Sequence, residues 1–241
     1  EDVGVDTRDM EFVSRETSHV VGLPQERGGS GDPSPVTAYG VYMGMKAALK
    51  FTTGSDSLSQ KKIVVQGVGK VGGFLVERLR QEGATVYIYD IAEEQVKRIA
   101  QQTGAIPIPE DAIFTTDCDV YAPCALGGVL NPTTIPQLKC TVVAGGANNQ
   151  LLSEQRDGIA LQARGILYAP DFLINAGGLI NVSTEKEGYN QAWALAKTEQ
   201  IYQTTLMVFK RAQELNITTH QAAQELALKR VEEIGKIRQY R

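Results

Sequence analysis

Six consecutive residues, Gly67-Val68-Gly69-Lys70-Val71-Gly72, and one acid, Asp90, have the types and spacing most able to do chemistry in this chain. The glycines fall in the pattern G-x-G-x-x-G. Gly67 permits a tight turn out of a strand. Gly69 has no Cβ, so a pyrophosphate can approach its backbone, and Gly72 lets a helix pack closely on a sheet. A helix starting here presents unpaired N–H groups and the positive end of its dipole to an anion. Asp90 lies about 20 residues further on, where a carboxylate accepts from a ribose hydroxyl and repels a 2′-phosphate. The combination predicts a dinucleotide site that takes NAD rather than NADP. The same glycines also suit a purely structural βαβ unit that needs only a tight turn. A Walker-type phosphate loop is excluded. Val71 stands where Ser or Thr should follow the lysine, and Val64 stands where the first glycine should be.

The elements around these residues have the form such a site requires. Residues 63–66 are a short, mostly β-branched run. An amphipathic segment follows the glycines, with Val71, Phe74, Leu75, Val76 and Leu79 apolar among Glu77, Arg78 and Arg80. Gly83 stops that helix, and residues 85–89 form a second β-rich run ending at Asp90. Strand–helix alternation continues beyond. Helices are expected at 92–103 and 153–163, and strands at 106–108, 119–122, 141–144 and 166–168. The fold class is therefore α/β, a Rossmann-like, doubly wound and mostly parallel sheet with both faces covered, followed by C-terminal helices. The polar, glycine-rich stretches follow the strands, at the carboxyl edge where open α/β sheets bind ligands.

The flanking segments read as follows. A helix over residues 9–18 would turn Met10, Val13 and Thr17 inward, and residues 24–35, rich in glycine and proline, form a connector. Residues 37–51 have helical apolar spacing. The stripe of Ala192, Leu195, Ala196, Tyr202, Leu206, Phe209 and Ala212, and a second from Ala222 to Ile234, predict two terminal helices packed on the sheet or on another domain. Trp193 reads as a packing residue. The resulting division is 1–35 as connector, 36–190 as dinucleotide-binding domain and 191–241 as C-terminal helices.

Composition narrows the classes. A chain of 241 residues with 42% hydrophobic side chains can build a substantial core. Its net charge of −4, without a basic block, argues against nucleic acid or an anionic membrane as partner. No apolar run approaches the ~20 residues of a membrane span. The polar opening EDVGVDTRDM is no secretory leader. Cys118, Cys124 and Cys140 are odd in number and lack C-x-x-C spacing, which predicts reduced thiols, a cytoplasmic setting and no metal site. With only His19 and His220 available, a mechanism built on a His–Asp pair is disfavoured.

Four stretches together resemble the amino-acid dehydrogenases that act on glutamate, leucine, phenylalanine and valine, and above all the leucine dehydrogenase branch. They are GGSGDPSPVTAYGVYMGMKAA at 28–48, VVQGVGKVGG at 64–73, DVYAPCALGGVLN with TIPQLK at 119–139, and AGGANNQLL with GILYAPDFLINAGGLINV at 144–182. EDVG at 1–4 extends the likeness, which runs essentially the whole length. The resemblance implies reversible oxidative deamination of an L-amino acid to a 2-oxo acid and ammonia, with NAD as hydride acceptor. It implies that Thr37 and Asn149, with Ala147, hold the nicotinamide end. Cys124, Ala125 and Leu126 would line the cofactor, and Asp90 and Ile91 would meet the adenosine. Asn175 would face both nicotinamide and substrate. Asp2 aligns with the acidic residue that passes protons at the amino group. Thr37 could equally just begin a helix, and the asparagines could be turn residues.

One departure stands out. The family carries a separate N-terminal domain with catalytic lysines, one in a G-G-G-K turn, and this sequence has no such turn. Its start is expected to fall where that first domain ends, leaving residues 1–35 as a remnant of it. The chain alone would then bind NAD(H) and be nearly inactive, while the full-length protein would be a homo-oligomer acting on a branched-chain or aromatic amino acid. The alternative is a non-catalytic dinucleotide-binding module that senses NAD/NADH.

Overall fold

The computed structural model describes residues 4–238, so Asp2 lies outside the described residues. Strands β1 (Lys62–Gln66), β2 (Thr85–Tyr89), β3 (Ile106–Pro107), β4 (Val120–Pro123), β5 (Val142–Val143) and β6 (Leu167–Tyr168) form one sheet in the order β3-β2-β1-β4-β5-β6. Every pairing is parallel, and Ile63 of β1 sits between Val86 of β2 and Val120 of β4. The expected "mostly" parallel sheet is thus parallel throughout the described residues.

The strands read as continuous apolar runs because both faces are covered. Ile63, Val65, Val86, Ile88, Val120 and Ala122 point to one face. There they meet Met45 and Leu49 of α2 (Ser34–Thr53), Leu75 and Leu79 of α3 (Lys70–Gln81), Ile99 of α4 (Glu93–Thr103) and Phe209 of α8 (Gln191–Leu215). Val64, Tyr121 and Val143 point to the other face, against Leu161 of α5 (Glu154–Ala163) and Ile135 and Leu138. Each fully buried side chain of this size contributes roughly 1.5–3 kcal/mol.

Several boundaries differ from those expected. α1 spans Thr7–Ser14, because Asp6 caps it by accepting from the N–H groups of Arg8 and Asp9. None of its residues is buried, so the expected inward set of Met10, Val13 and Thr17 does not form: Val13 is 43% exposed. α2 starts three residues early, with Pro35 in its first turn and Ser34 N–H donating to Asp32 Oδ1 at 2.8 Å. Two helices come as additions, α6 (Asp171–Ile174) and α7 (Gly177–Ser183). Their glycines and asparagine give weak local propensity, and packing compensates. A Cβ at Gly40 of α2 would lie 2.6 Å from Ile174 O, and one at Gly44 would overlap the Ile174 side chain. α2 therefore accepts this segment at close range only because it has glycine there.

α9 (Thr219–Arg238) is the last element among the described residues and packs beside α8, burying Ala222 and Ala223. Trp193, read from sequence as a packing residue, is 45% exposed at the start of α8. Its backbone N–H, not its indole, is held there, by Asn190. All three cysteines are free. Among the described residues, no helix is long and apolar enough to cross a membrane, and no group of three or more His, Cys, Asp or Glu side chains could hold a metal ion.

Candidate active site

The strand order reverses direction between β1 and β4, and the turns leaving these two strands touch. Gly67 follows β1 with φ +93°, a conformation that side chains with a Cβ rarely adopt. A Cβ on it would lie 2.7 Å from Ala125 N in the turn after β4. Gly72, in the first turn of α3, would overlap the carbonyl oxygen of Gly67 if it carried a Cβ. Gly69 is different. It is the N-cap of α3 with φ −65°, no side chain caps it, and nothing lies within 4 Å of where its Cβ would be. Two glycines are thus demanded by the fold, and one faces open space at a positively polarised helix end.

Asp90, at the end of β2, organises the same loop. Its Oδ2 accepts from Val68 N–H at 2.8 Å and its Oδ1 from Ala92 N–H at 3.0 Å. A carboxylate has about four acceptor positions, so capacity remains for a further donor. Val68 has no exposed surface, and its carbonyl accepts from Gln95 Nε2 at 2.8 Å. Val68 therefore ties the loop to β2 and α4 and offers no side chain to the edge. Lys70 and Val71 open α3, and Ile91, beside Asp90, is 89% exposed.

The turn after β4 lies opposite. Cys124 Sγ accepts from Gly146 N–H at 3.4 Å, joining this turn to the one after β5. Burial pushes the Cys124 thiol up to about 11, with the Gly146 N–H opposing, so it stays protonated at neutral pH and is no nucleophile. Ala125 is exposed, and Leu126 is 76% exposed at the mouth. In the turn after β5, Ala147 is buried while Asn148 and Asn149 are exposed, Asn149 at φ +53°. Asn175, the C-cap of α6, donates from Nδ2 to Asn148 Oδ1 at 2.6 Å and to Gly146 O at 3.3 Å. Thr37 Oγ1 donates to Pro33 O at 3.0 Å, as a hydroxyl in the first turns of a helix commonly does. It is also the atom that a Cβ on Gly178 of α7 would approach to 2.5 Å.

All the named residues from 37 to 175 thus gather at one sheet edge, in turns that follow β1, β2, β4, β5 and β6 and at the start of α2. Gln95, Gln150, Tyr168 and Asp171 support these turns through hydrogen bonds that the sequence does not mark. Gln150 and Asp171 lie inside the quoted stretches, but nothing in their types marks them as buried.

The profile of the glutamate/leucine/phenylalanine/valine dehydrogenase family matches residues 28–92 and 86–238. The chain belongs to that family. It is 49% identical over 238 residues to a leucine dehydrogenase of Geobacillus stearothermophilus, covering 99% of this chain and 65% of that protein. It is 41% identical to a phenylalanine dehydrogenase of Caldalkalibacillus thermarum, covering 99% and 66%. Among solved structures, the L-tryptophan dehydrogenase of Nostoc punctiforme superposes with a TM-score of 0.81 at 41% identity, over 83% of this chain and 61% of that one. The hetero-hexameric glutamate dehydrogenase of Thermus thermophilus, at 23% identity over 98% of this chain and 63% of that one, shares the fold with a TM-score of 0.77. The chain spans about two-thirds of the length of the curated dehydrogenases it matches. Its family, its Rossmann-like sheet and its glycine loop fit a nucleotide cofactor.

Proposed function

We propose that this chain is the NAD-binding part of an L-amino-acid dehydrogenase, leucine dehydrogenase-like, for reversible oxidative deamination of a branched-chain or aromatic amino acid. The division of the three glycines carries the reading: Gly67 and Gly72 meet the fold's own backbone, while Gly69 leaves a gap at a helix start. A structural βαβ unit would have no use for that gap. The N–H groups at the start of α3, around Gly69, Lys70 and Val71, would hold the pyrophosphate. Asp90 would accept from the adenosine ribose with Ile91 beside it, and its charge would repel the 2′-phosphate of NADP. Thr37, Ala147, Asn149 and Asn175 would orient the nicotinamide carboxamide, with Cys124, Ala125 and Leu126 along the cofactor. NAD bound there supplies the hydride acceptor. Asp2 is assigned the proton transfer at the amino nitrogen and Asn175 the substrate side of the site.

The catalytic lysines that the resemblance implies for the family's first domain, one in a G-G-G-K turn, have no such turn in this sequence. The 241 residues alone should therefore bind NADH and scarcely turn over L-leucine. Loss of an acid–base group costs about 10²–10⁴-fold, and lost substrate positioning adds to it. The test is the rate of NADH formation from L-leucine and NAD. A rate matching a full-length leucine dehydrogenase would refute this division of labour.

A further inference from the structure

We propose that Gln150, anchored by Asp171, is a positioning residue that fixes the turn at 145–149 in the shape that receives the nicotinamide end of the dinucleotide. This rests on the nucleotide reading above.

Gln150 has no exposed surface. Its Nε2 donates to Gly145 O at 2.8 Å and to Ala147 O at 2.9 Å, so one amide group clips two carbonyls of the turn that precedes it. Because a peptide is planar, pinning Gly145 O also aims Gly146 N–H, which reaches Cys124 Sγ at 3.4 Å. Pinning Ala147 O sets the peptide leading into Asn148 and Asn149. The backbone of Gln150 is held in turn: its N–H donates to Asp171 Oδ2 at 3.0 Å. Asp171 is 5% exposed, its Oδ1 accepts from Phe172 N–H at 2.9 Å, and its own N–H donates to the Tyr168 hydroxyl at 3.3 Å. Four residues on, Asn175 grips the other side of the same turn at Gly146 O and Asn148 Oδ1. The segment 171–175 and Gln150 thus hold the turn from two sides.

The other half of the Gln150 amide sharpens the assignment. Its Oε1 is buried and makes no hydrogen bond among the described residues. An unpaired buried acceptor lowers stability, and leucine or methionine would fill the space without that cost. Packing alone does not account for a glutamine. The Nε2 donor is the half in use, and what it shapes is a turn that carries Ala147 and Asn149, two of the candidate nicotinamide contacts.

The experiment compares the parent chain with Gln150→Leu and Gln150→Glu, measuring dissociation constants for NADH and ADP-ribose together with the melting temperature. ADP-ribose engages only the glycine-loop side. Gln150→Leu removes the unpaired Oε1 but also the donor of two buried carbonyls, so it should lower the melting temperature by a few degrees, leave ADP-ribose affinity within about twofold, and weaken NADH by about tenfold, the scale of one or two ordered hydrogen bonds. Gln150→Glu faces two carbonyls with an acceptor, so NADH binding weakens at pH 8. As the carboxyl protonates toward about pH 5 it regains a donor, and NADH affinity relative to the parent recovers. A merely structural role would move ADP-ribose affinity and melting temperature through the same profile, so the recovery must appear in NADH affinity alone, and this comparison decides if the leucine variant does not fold. Unchanged NADH affinity in both variants, or NADH and ADP-ribose affinities falling in step with melting temperature, overturns the proposal. A parent chain that binds neither ligand refutes the dinucleotide reading, and the positioning role falls with it.

Discussion

Replacing Gly69 and Gly72 in turn by alanine separates ligand binding from folding. At Gly69 the new methyl enters open space, and φ is −65°, so the fold tolerates it. Alanine is a poorer N-cap than glycine by up to about 1 kcal/mol, and a less flexible unfolded chain returns about 0.4–1 kcal/mol. Gly69→Ala should thus change stability by less than about 1 kcal/mol, or roughly 2–4 °C in Tm for a chain of this size. At Gly72 alanine would ordinarily gain up to about 1 kcal/mol in a helix, but here its methyl meets the backbone oxygen of Gly67. Overpacking against atoms that cannot rotate away costs about 1–3 kcal/mol or more, so Tm should fall by about 2–12 °C. Thermal melts of the two variants, with NADH titrations below each Tm, provide the assay. Gly69→Ala should weaken NADH at least about tenfold with Tm nearly unchanged. A Gly69→Ala variant that binds NADH like the parent, or a Gly72→Ala variant as stable as the parent, would refute the assignment of the three glycines.

Other expectations follow from the same geometry. Glu82 is pushed up by burial but held below the usual carboxylate range by hydrogen bonds from Tyr42, Leu58 N–H and Lys46. Its folded-state value is depressed, so its contribution is present above about pH 4, and is lost as pH falls through the folded value. Urea denaturation from pH 7 to 3 should show a shallower acid loss for Glu82→Gln. Burial pushes Cys140 up to about 12 and Cys124 up to about 11, and raises Cys118 as well. Iodoacetamide at pH 8 should label the native chain far more slowly than the urea-unfolded chain, because about one Cys124 thiol in a thousand is ionised. Mass spectrometry reads this directly. The Glu185 carboxylate accepts from Gly22 N–H at 2.8 Å, from Ser30 N–H at 2.8 Å and from the Ser30 hydroxyl, tying the connector to the end of α7. Glu185→Ala should raise amide exchange at Gly22 and Ser30 about tenfold or more while leaving β1 protected. Unchanged exchange would remove Glu185 as the tie.

The sheet was legible because each strand is a short apolar run bounded by glycine or polar turns, and the fingerprint fixed where β1, α3 and β2 must lie. What local pattern could not show was α6 and α7, where glycines suppress helix propensity and close packing on Gly40 and Gly44 restores it. α1 differs from expectation in its bounds and its inward set: its Asp6 cap fixes the start, and none of its residues is buried among the described residues. The site residues named from 37 to 175 gather at one edge, Asp2 lies outside the described residues, and the supports behind the site did not show in the sequence. Gln150 and Asp171 are buried polar residues and Gln95 is half-buried with its amide turned inward to Val68 O, and neither burial nor such a contact has a signature in residue type alone.

The central claim is a dinucleotide site at the carboxyl edge of β1 and β4 that selects NAD through Asp90. Titration of the chain with NADH and NADPH, followed by energy transfer from Trp193, its only tryptophan, tests it most directly. Saturable NADH binding is expected, with NADPH binding weaker by at least about tenfold. Equal or tighter NADPH binding, or no binding of either by the folded chain, would contradict it.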